Sequence, residues 1–327
     1  MSQRTLETTV DLPTQPALNG TLRSASELQP SLPSTALNLL AGITSAGVLR
    51  RGYSWPLALI PAWVWGGESI CTQTSLGPMC VRTNDRSSSS LLLFGFLPHE
   101  KRETPLVASI ASHCSVMFDV GAQYGWYMRL MAKAAPGARV YAFEPDPTTY
   151  KHLEWNARDL SNAATFQLAV GAHPGETTFW RAKTSDLNST VRAVGEPTTV
   201  RCCTLDDFCQ EQGVTHVDFI KCDVEGGEEF VLRGAESLLR LPNPPIWMLE
   251  VIDQFLEEAG SRSVQLLDVL KEACPGAKIF TQDEGGRPFE ICDFSQRILG
   301  NNVFFVPPGR LELFKKSAAL LGESKPQ

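Results

Sequence analysis

Short apolar runs stand out of polar surroundings at 116–120 (VMFDV), 139–143 (RVYAF), 165–170 (TFQLAV), 217–222 (VDFIKC) and 246–251 (IWMLEV). Runs of this length, without strict polar alternation, predict strands buried on both faces of a parallel sheet. The segments between them are punctuated as helices. Asp146-Pro147 predicts the N-cap and first residue of a helix running to about 160. Thr204 and Asp207 have capping-box spacing, with Asp in place of the usual Glu. Pro136-Gly137, Gly213 and Pro242 are stop signals. From about Ala108 the β-α alternation therefore predicts an α/β fold, a doubly wound sheet with right-handed crossovers. A last pair of runs, 277–281 (AKIFT) and 303–306 (VFFV), flanks a long polar insert and is expected to close one sheet edge, parallel or antiparallel.

The first part of the chain has a different texture. Residues 1–34 are rich in Ser, Thr, Pro and Leu without periodicity and read as a mobile arm. Residues 35–105 read as a lead-in: a helix over 36–49, then a β-rich stretch over 66–97. In that stretch "ESICTQTSLGPMCVRTND" predicts a hairpin turning at Leu76-Gly77-Pro78, followed by "SSSSLLLFGF". The main domain is expected over 106–312, with a tail over 313–327. The run Trp55–Trp65 is too short to span a bilayer, which takes ~20 residues, and Pro56 and Pro61 interrupt it. It reads as a core or interfacial segment, so membrane contact is not expected.

Composition adds exclusions. Of 327 residues 43% are hydrophobic and 20% charged, as in ordinary globular proteins. The net charge of −7 argues against nucleic acid as a partner. Nine cysteines, an odd number with no C-x-x-C pair, disfavour both a zinc site and a disulfide framework. A reducing compartment, the cytoplasm, is the expectation. The first 35 residues contain Glu7, Asp11 and Glu27 and lack the apolar core of a secretory signal.

Candidate chemistry sits where the strands end, because ligands of such sheets bind outside the carboxyl ends at the switch point. The first strand ends on Asp119, followed by Gly121 and Gly125: a tight turn and a close helix approach, without the G-x-G-x-x-G pattern of dinucleotide sites. The second strand ends on Glu144, nineteen residues past Gly125. An acid at that place hydrogen-bonds ribose hydroxyls. Two acids repel a pyrophosphate but suit a cationic nucleoside such as S-adenosylmethionine. The fourth strand runs into Asp223, Glu225, Gly226 and Gly227, facing the same cleft. Lys221 is expected to point away at a sheet margin, or to snorkel.

The segments "FDVGAQYGWY", "VYAFEPDP", "LAVG", "TLDDF", "VDFIKCDVEGGE" and "VLRGA", with the upstream "GPMCVRTNDRSSSSLLLFGFLPHE", closely resemble the FkbM-type family of S-adenosylmethionine-dependent methyltransferases over roughly 66–306. The resemblance implies a class I methyltransferase (Rossmann-like) fold, S-adenosyl-L-methionine as cofactor, and O-methylation of a hydroxyl on a sugar or other natural product, a small-molecule acceptor. Carried over by position, Asp119, Gly121, Gln123 and Gly125 form the methionine-side loop, and Gln123 stands where members typically have Asn. Glu144 holds the ribose, Ala169 lies near the adenine, and Asp223 and Glu225 lie beside the transferring methyl. A hydroxyl nucleophile needs a base, and the candidates are Asp223, Glu225 and His113, with Glu250 at the end of the fifth strand. No metal site is expected, although Asp223 and Glu250 are the pair that would suit magnesium. Methylation of a nitrogen or carboxylate on the same fold, and a silent nucleoside-binding protein, are the competing readings.

Overall fold

The structure, a computed structural model, describes residues 69–83, 86–294 and 301–322. The expected arm over 1–34, the helix over 36–49 and the run Trp55–Trp65 lie outside the described residues.

The described chain opens with a hairpin, β1 (Ser69–Thr74) and β2 (Gly77–Arg82), and a helix, α1 (Arg86–Phe94). A 3₁₀ turn at Pro98–Glu100 leads to α2 (Glu103–Ala111) and β3 (Val116–Val120). Then come α3 (Trp126–Ala134), β4 (Arg139–Phe143), α4 (Pro147–Ala157) and β5 (Ala163–Phe166). A small sheet follows, of β6 (Ala169–Val170), β7 (Gly175–Arg181) and β8 (Glu196–Cys203). The chain continues through α5 (Leu205–Gln212), β9 (Phe219–Cys222), α6 (Glu228–Arg233), α7 (Glu236–Leu239) and β10 (Ile246–Glu250). It ends with α8 (Asp253–Glu258), α9 (Ser263–Ala273), β11 (Lys278–Gln282), β12 (Pro288–Ile291), β13 (Asn302–Val306) and α10 (Leu311–Gly322).

The main sheet has the order β12-β11-β13-β10-β9-β3-β4-β5. Strands β5, β4, β3, β9 and β10 run parallel, and β13 is antiparallel between β10 and β11. The late pair thus closes the edge in the antiparallel sense, with β12 from the polar insert added outside it. Succession along the chain reverses direction between β3 and β9, which makes that junction the switch point.

Period-two geometry separates two apolar layers. Met117, Phe219, Ile246 and Met248 face one, together with α2, α3, α10 and the hairpin. Phe118, Ile220, Trp247 and Leu249 face the other, together with α5, α6, α8 and α9. Both faces are covered, which is why these strands read as near-continuous apolar runs. The expected caps are in place: Asp146 accepts the N–H groups of Thr148 (2.7 Å) and Thr149 (2.9 Å), and Thr204 accepts that of Asp207 (3.0 Å).

Several expectations are corrected. The run 165–170 is not one strand, because β4 ends opposite Phe166 and leaves later residues no partner in the main sheet; Ala169–Val170 pairs with β8 instead. "SSSSLLLF" is the helix α1, since packing of Leu91 and Leu93 overrides the weak helix preference of serine. The hairpin turn lies at Ser75-Leu76, one residue earlier than expected. The tail expected from 313 lies within α10, whose Phe314 is buried against Phe280 and Phe304. Cys71 and Cys80, directly opposite in the hairpin register, form a disulfide, a single bridge where the sequence disfavoured a disulfide framework; the other seven cysteines form no disulfide among the described residues. No helix among the described residues is long and apolar enough to cross a membrane.

Candidate active site

At the switch point the turn after β3 meets the loop after β9. Gly121 has φ +74°, and a Cβ there would fall 1.8 Å from the carbonyl oxygen of Asp223. Only glycine allows these two loops to touch. The helix α3 then starts under the turn, where buried Asp119 accepts the Met128 N–H at 2.8 Å. Gln123 holds φ +48°, a left-handed conformation that Asn adopts more readily than Gln.

The second strand ends on Glu144, buried at 6% exposure. Its Oε2 accepts the Gln123 N–H (3.0 Å) and its Oε1 accepts the Asp146 N–H (2.9 Å), so both oxygens are oriented by backbone. Burial nevertheless pushes this carboxyl up to about 8. The two loops and the small sheet enclose a cavity of about 570 Å³, within the ~300–1,000 Å³ typical of small-molecule sites. Phe143, Leu168, Ala169, Val170 and Phe179 give it an apolar pocket beside Glu144. Arg86, His99 and Glu100 from the lead-in, with Trp126 and Tyr127 from α3, line it as well.

Gly121, Gln123, Glu144, Ala169, Asp223, Glu225 and Glu250 all line this cavity. Asp119 does not: its side chain is fully buried beneath the turn, with Oδ1 3.7 Å from the Lys221 ammonium. Gly125 lies under the loop, where a Cβ would meet Leu153 and Met128. His113 is corrected as a candidate base. It is exposed at the C-terminal end of α2, ahead of the amino end of β3, where its ring bonds Ser109 and Ser112. The whole strand separates it from the cavity.

Lys221 is corrected too. Its amine is buried, donates to the Gly121 carbonyl (3.0 Å) and lies 3.3 Å from Asp223 Oδ2. Burial works to lower this ammonium, but Asp223, Asp119 and Glu100 outweigh it and hold it above its ordinary value. The missed signal was strand parity, because Lys221 lies opposite Asp119 in the parallel register and shares its face.

Carboxyl oxygens of Asp223, Glu225 and Glu250 lie within 4.8 Å of one another, a grouping able to hold a cation. Glu225, at φ +56°, is paired with Arg192 (3.4 Å). Burial, then the charges of Asp223 and Glu225, push Glu250 well above the ordinary carboxylate range. A ring of acids around an apolar pocket, with a carboxylate ending the second strand, fits a cationic nucleoside. It does not fit a pyrophosphate.

Strand order and site together define a class I methyltransferase, with S-adenosylmethionine as the methyl donor. Within that class, the family model of the methyltransferase FkbM domain matches residues 119–274. The 2-O-methyltransferase NoeI of Sinorhizobium fredii is 28% identical over 173 residues, 47% of this chain and 70% of the relative. The 31-O-demethyl-FK506 methyltransferase FkbM of Streptomyces tacrolimicus is 28% identical over 155 residues, 37% of this chain and 60% of the relative. The hexuronic acid methyltransferase AglP of Haloferax volcanii is 26% identical, over 42% of this chain and 57% of the relative. The chain thus spans less than two thirds of the length of the last two. Among solved structures, an O-methyltransferase from Bacillus cereus in complex with SAH aligns over 64% of this chain and 80% of its own, at 13% identity and a TM-score of 0.37.

Proposed function

We propose that this protein methylates a hydroxyl group of a small sugar or natural-product acceptor. Relatives named as a 2-O-methyltransferase, a 31-O-demethyl-FK506 methyltransferase and a hexuronic acid methyltransferase support the acceptor class. The observation that carries the reading is the pairing of Glu144, fixed at the second strand end, with Asp223, turned into the same cavity. We assign the catalytic unit to 106–322, with α10 packed into its core, and the acceptor wall to the lead-in. The net charge of −7 favours a small acceptor over nucleic acid. Seven cysteines outside any disulfide favour the cytoplasm, with the hairpin disulfide weighing the other way.

The bound donor supplies an electrophilic methyl on a sulfonium. Glu144 would accept the ribose hydroxyls, and the Gly121–Gly125 turn would hold the methionine end. The pocket of Ala169, Val170 and Phe179 takes the adenine. Asp223, held by Lys221, orients the acceptor hydroxyl. Displacement at carbon needs the nucleophile in line, so positioning supplies much of the acceleration. The test is incubation with S-adenosylmethionine and a panel of glycosides and secondary alcohols, read by mass spectrometry for a gain of one methylene unit. Selective gain on an amine or a carboxylate would replace the hydroxyl reading. A failure to bind S-adenosylhomocysteine would remove the donor assignment.

A further inference from the structure

The 3₁₀ turn Pro98–Glu100 brings to the cavity wall a carboxylate that no strand end announces. Glu100 Oε2 accepts the Tyr127 O–H at 2.5 Å, its only side-chain hydrogen bond among the described residues. Tyr127 is itself buried in α3, and its ring lies 5.6 Å from the Lys221 amine. One oxygen of Glu100 is thereby fixed and the other is left to accept.

The remaining acids of the cavity are engaged. Asp223 is ion-paired with Lys221 and Glu225 with Arg192. Glu250 is engaged by a side-chain hydrogen bond with Asp223. Burial raises the Glu100 carboxyl, the Tyr127 bond opposes this, Asp223 adds to it, and Lys221 and Arg86 oppose it. The neighbouring Glu103 is raised in turn, by burial and then by Glu100. A base works best when its pKa approaches the working pH.

We propose that Glu100 is the catalytic base: it takes the proton of the acceptor hydroxyl, with Tyr127 holding the carboxylate in place. The proposal rests on the methyltransferase reading. The acceptor oxygen forms its bond to the methyl carbon, and the carbon–sulfur pair leaves with the donor's sulfur, which becomes a neutral thioether. The hydroxyl proton passes to Glu100, one per methyl transferred. The lead-in, not the sheet, therefore supplies the acid–base group.

The test compares the wild type, Glu100→Gln and Tyr127→Phe. S-adenosylhomocysteine binding is measured by calorimetry. Turnover is measured with methyl glycosides and secondary alcohols, and with iodide, a nucleophile that has no proton to lose. Glu100→Gln should slow alcohol turnover ~10²–10⁴-fold while S-adenosylhomocysteine affinity stays within a few-fold. Iodide methylation should be far less affected than alcohol turnover. Tyr127→Phe removes the bond that lowers Glu100, so the acid limb of the pH–rate profile should move to higher pH. Alcohol turnover within threefold of wild type in Glu100→Gln overturns the proposal, as does equal loss with iodide and alcohols. So does a wild type that methylates iodide but no alcohol. Absence of S-adenosylhomocysteine binding in the wild type would instead count against the methyltransferase reading.

Discussion

Glu144 and Gly121 place opposite demands on their positions. Glu144 needs its carboxyl oxygens, and Glu144→Ala is expected to weaken S-adenosylhomocysteine binding roughly 5- to 150-fold, about 1–3 kcal/mol for leaving a buried polar partner unsatisfied. Unchanged affinity by calorimetry would reduce Glu144 to a brace for the Gln123 and Asp146 N–H groups. Gly121 needs the absence of a side chain. Gly121→Ala must push apart the turn and the Asp223 carbonyl, so it should abolish cofactor binding or leave no soluble protein. Asp223→Asn keeps the size and removes the ion pair with Lys221. Loss of its hold on the acceptor hydroxyl should lower turnover by ~10²-fold, with S-adenosylhomocysteine affinity within a few-fold. A rate close to wild type in a single-turnover assay would remove Asp223 from the chemistry. At this scale the strand-end acids were legible, because a carboxylate at the end of a buried run has few structural reasons to be there. Lys221 was misread because an amine in an apolar strand looks like a margin residue until its partners Asp119 and Asp223 are placed around it.

The hairpin of β1 and β2 is small, yet it is anchored to the cofactor loop. Asn156 of α4 accepts the Cys80 N–H (2.6 Å) and donates to the carbonyls of Cys80 (3.0 Å) and Tyr124 (2.7 Å). Buried Arg129 donates to the Leu76 carbonyl from the helix beneath. The disulfide closes a short loop, so Cys71→Ser is expected to cost about 2–3 kcal/mol on the chain-entropy account. Denaturant unfolding with and without reductant checks this. A variant as stable as the oxidised wild type would mean that Asn156 and Arg129 alone hold the hairpin. Pairing of these cysteines could not be read from their count, since an odd total and no repeated spacing name no partners. It followed from the register that puts residues 71 and 80 face to face.

For the molecule as a whole, the buried acids set a pH dependence. Burial pushes Glu228 up to about 7 and Glu144 up to about 8. A folded state with raised carboxyls binds more protons than the unfolded chain between pH ~5 and 8, so stability falls as pH rises through that range. Glu228 alone contributes at most on the order of 3 kcal/mol. On the acid side, burial acts to raise Asp218, but bonds from Ser115 and Val116, with Arg310, outweigh it and hold the carboxyl low. That stability is present above the ordinary Asp value and is lost as pH falls below it. The melting temperature should therefore peak near pH 5, and Glu228→Gln should flatten its fall toward pH 8. A melting temperature that climbs from pH 5 to 8 would contradict this.

The sequence by itself determined the strands of the doubly wound sheet, the caps at Asp146 and Thr204, and the turn and acids at Asp119, Gly121, Glu144 and Asp223. These are local: a run of apolar residues, the group that ends it and the glycine that turns it lie within a few positions. Tertiary structure decided which of them face the cavity. It buried Asp119, put His113 at the far end of β3, and drew Lys221 between two acids. It also split 165–170 between two sheets and joined Cys71 to Cys80. Glu100 and Tyr127 reach the site from separate helical segments, and their meeting with Asp223 depends on how α2 and α3 pack on the sheet. No periodicity along the chain encodes a contact between segments so far apart; only the closing of the core around them does.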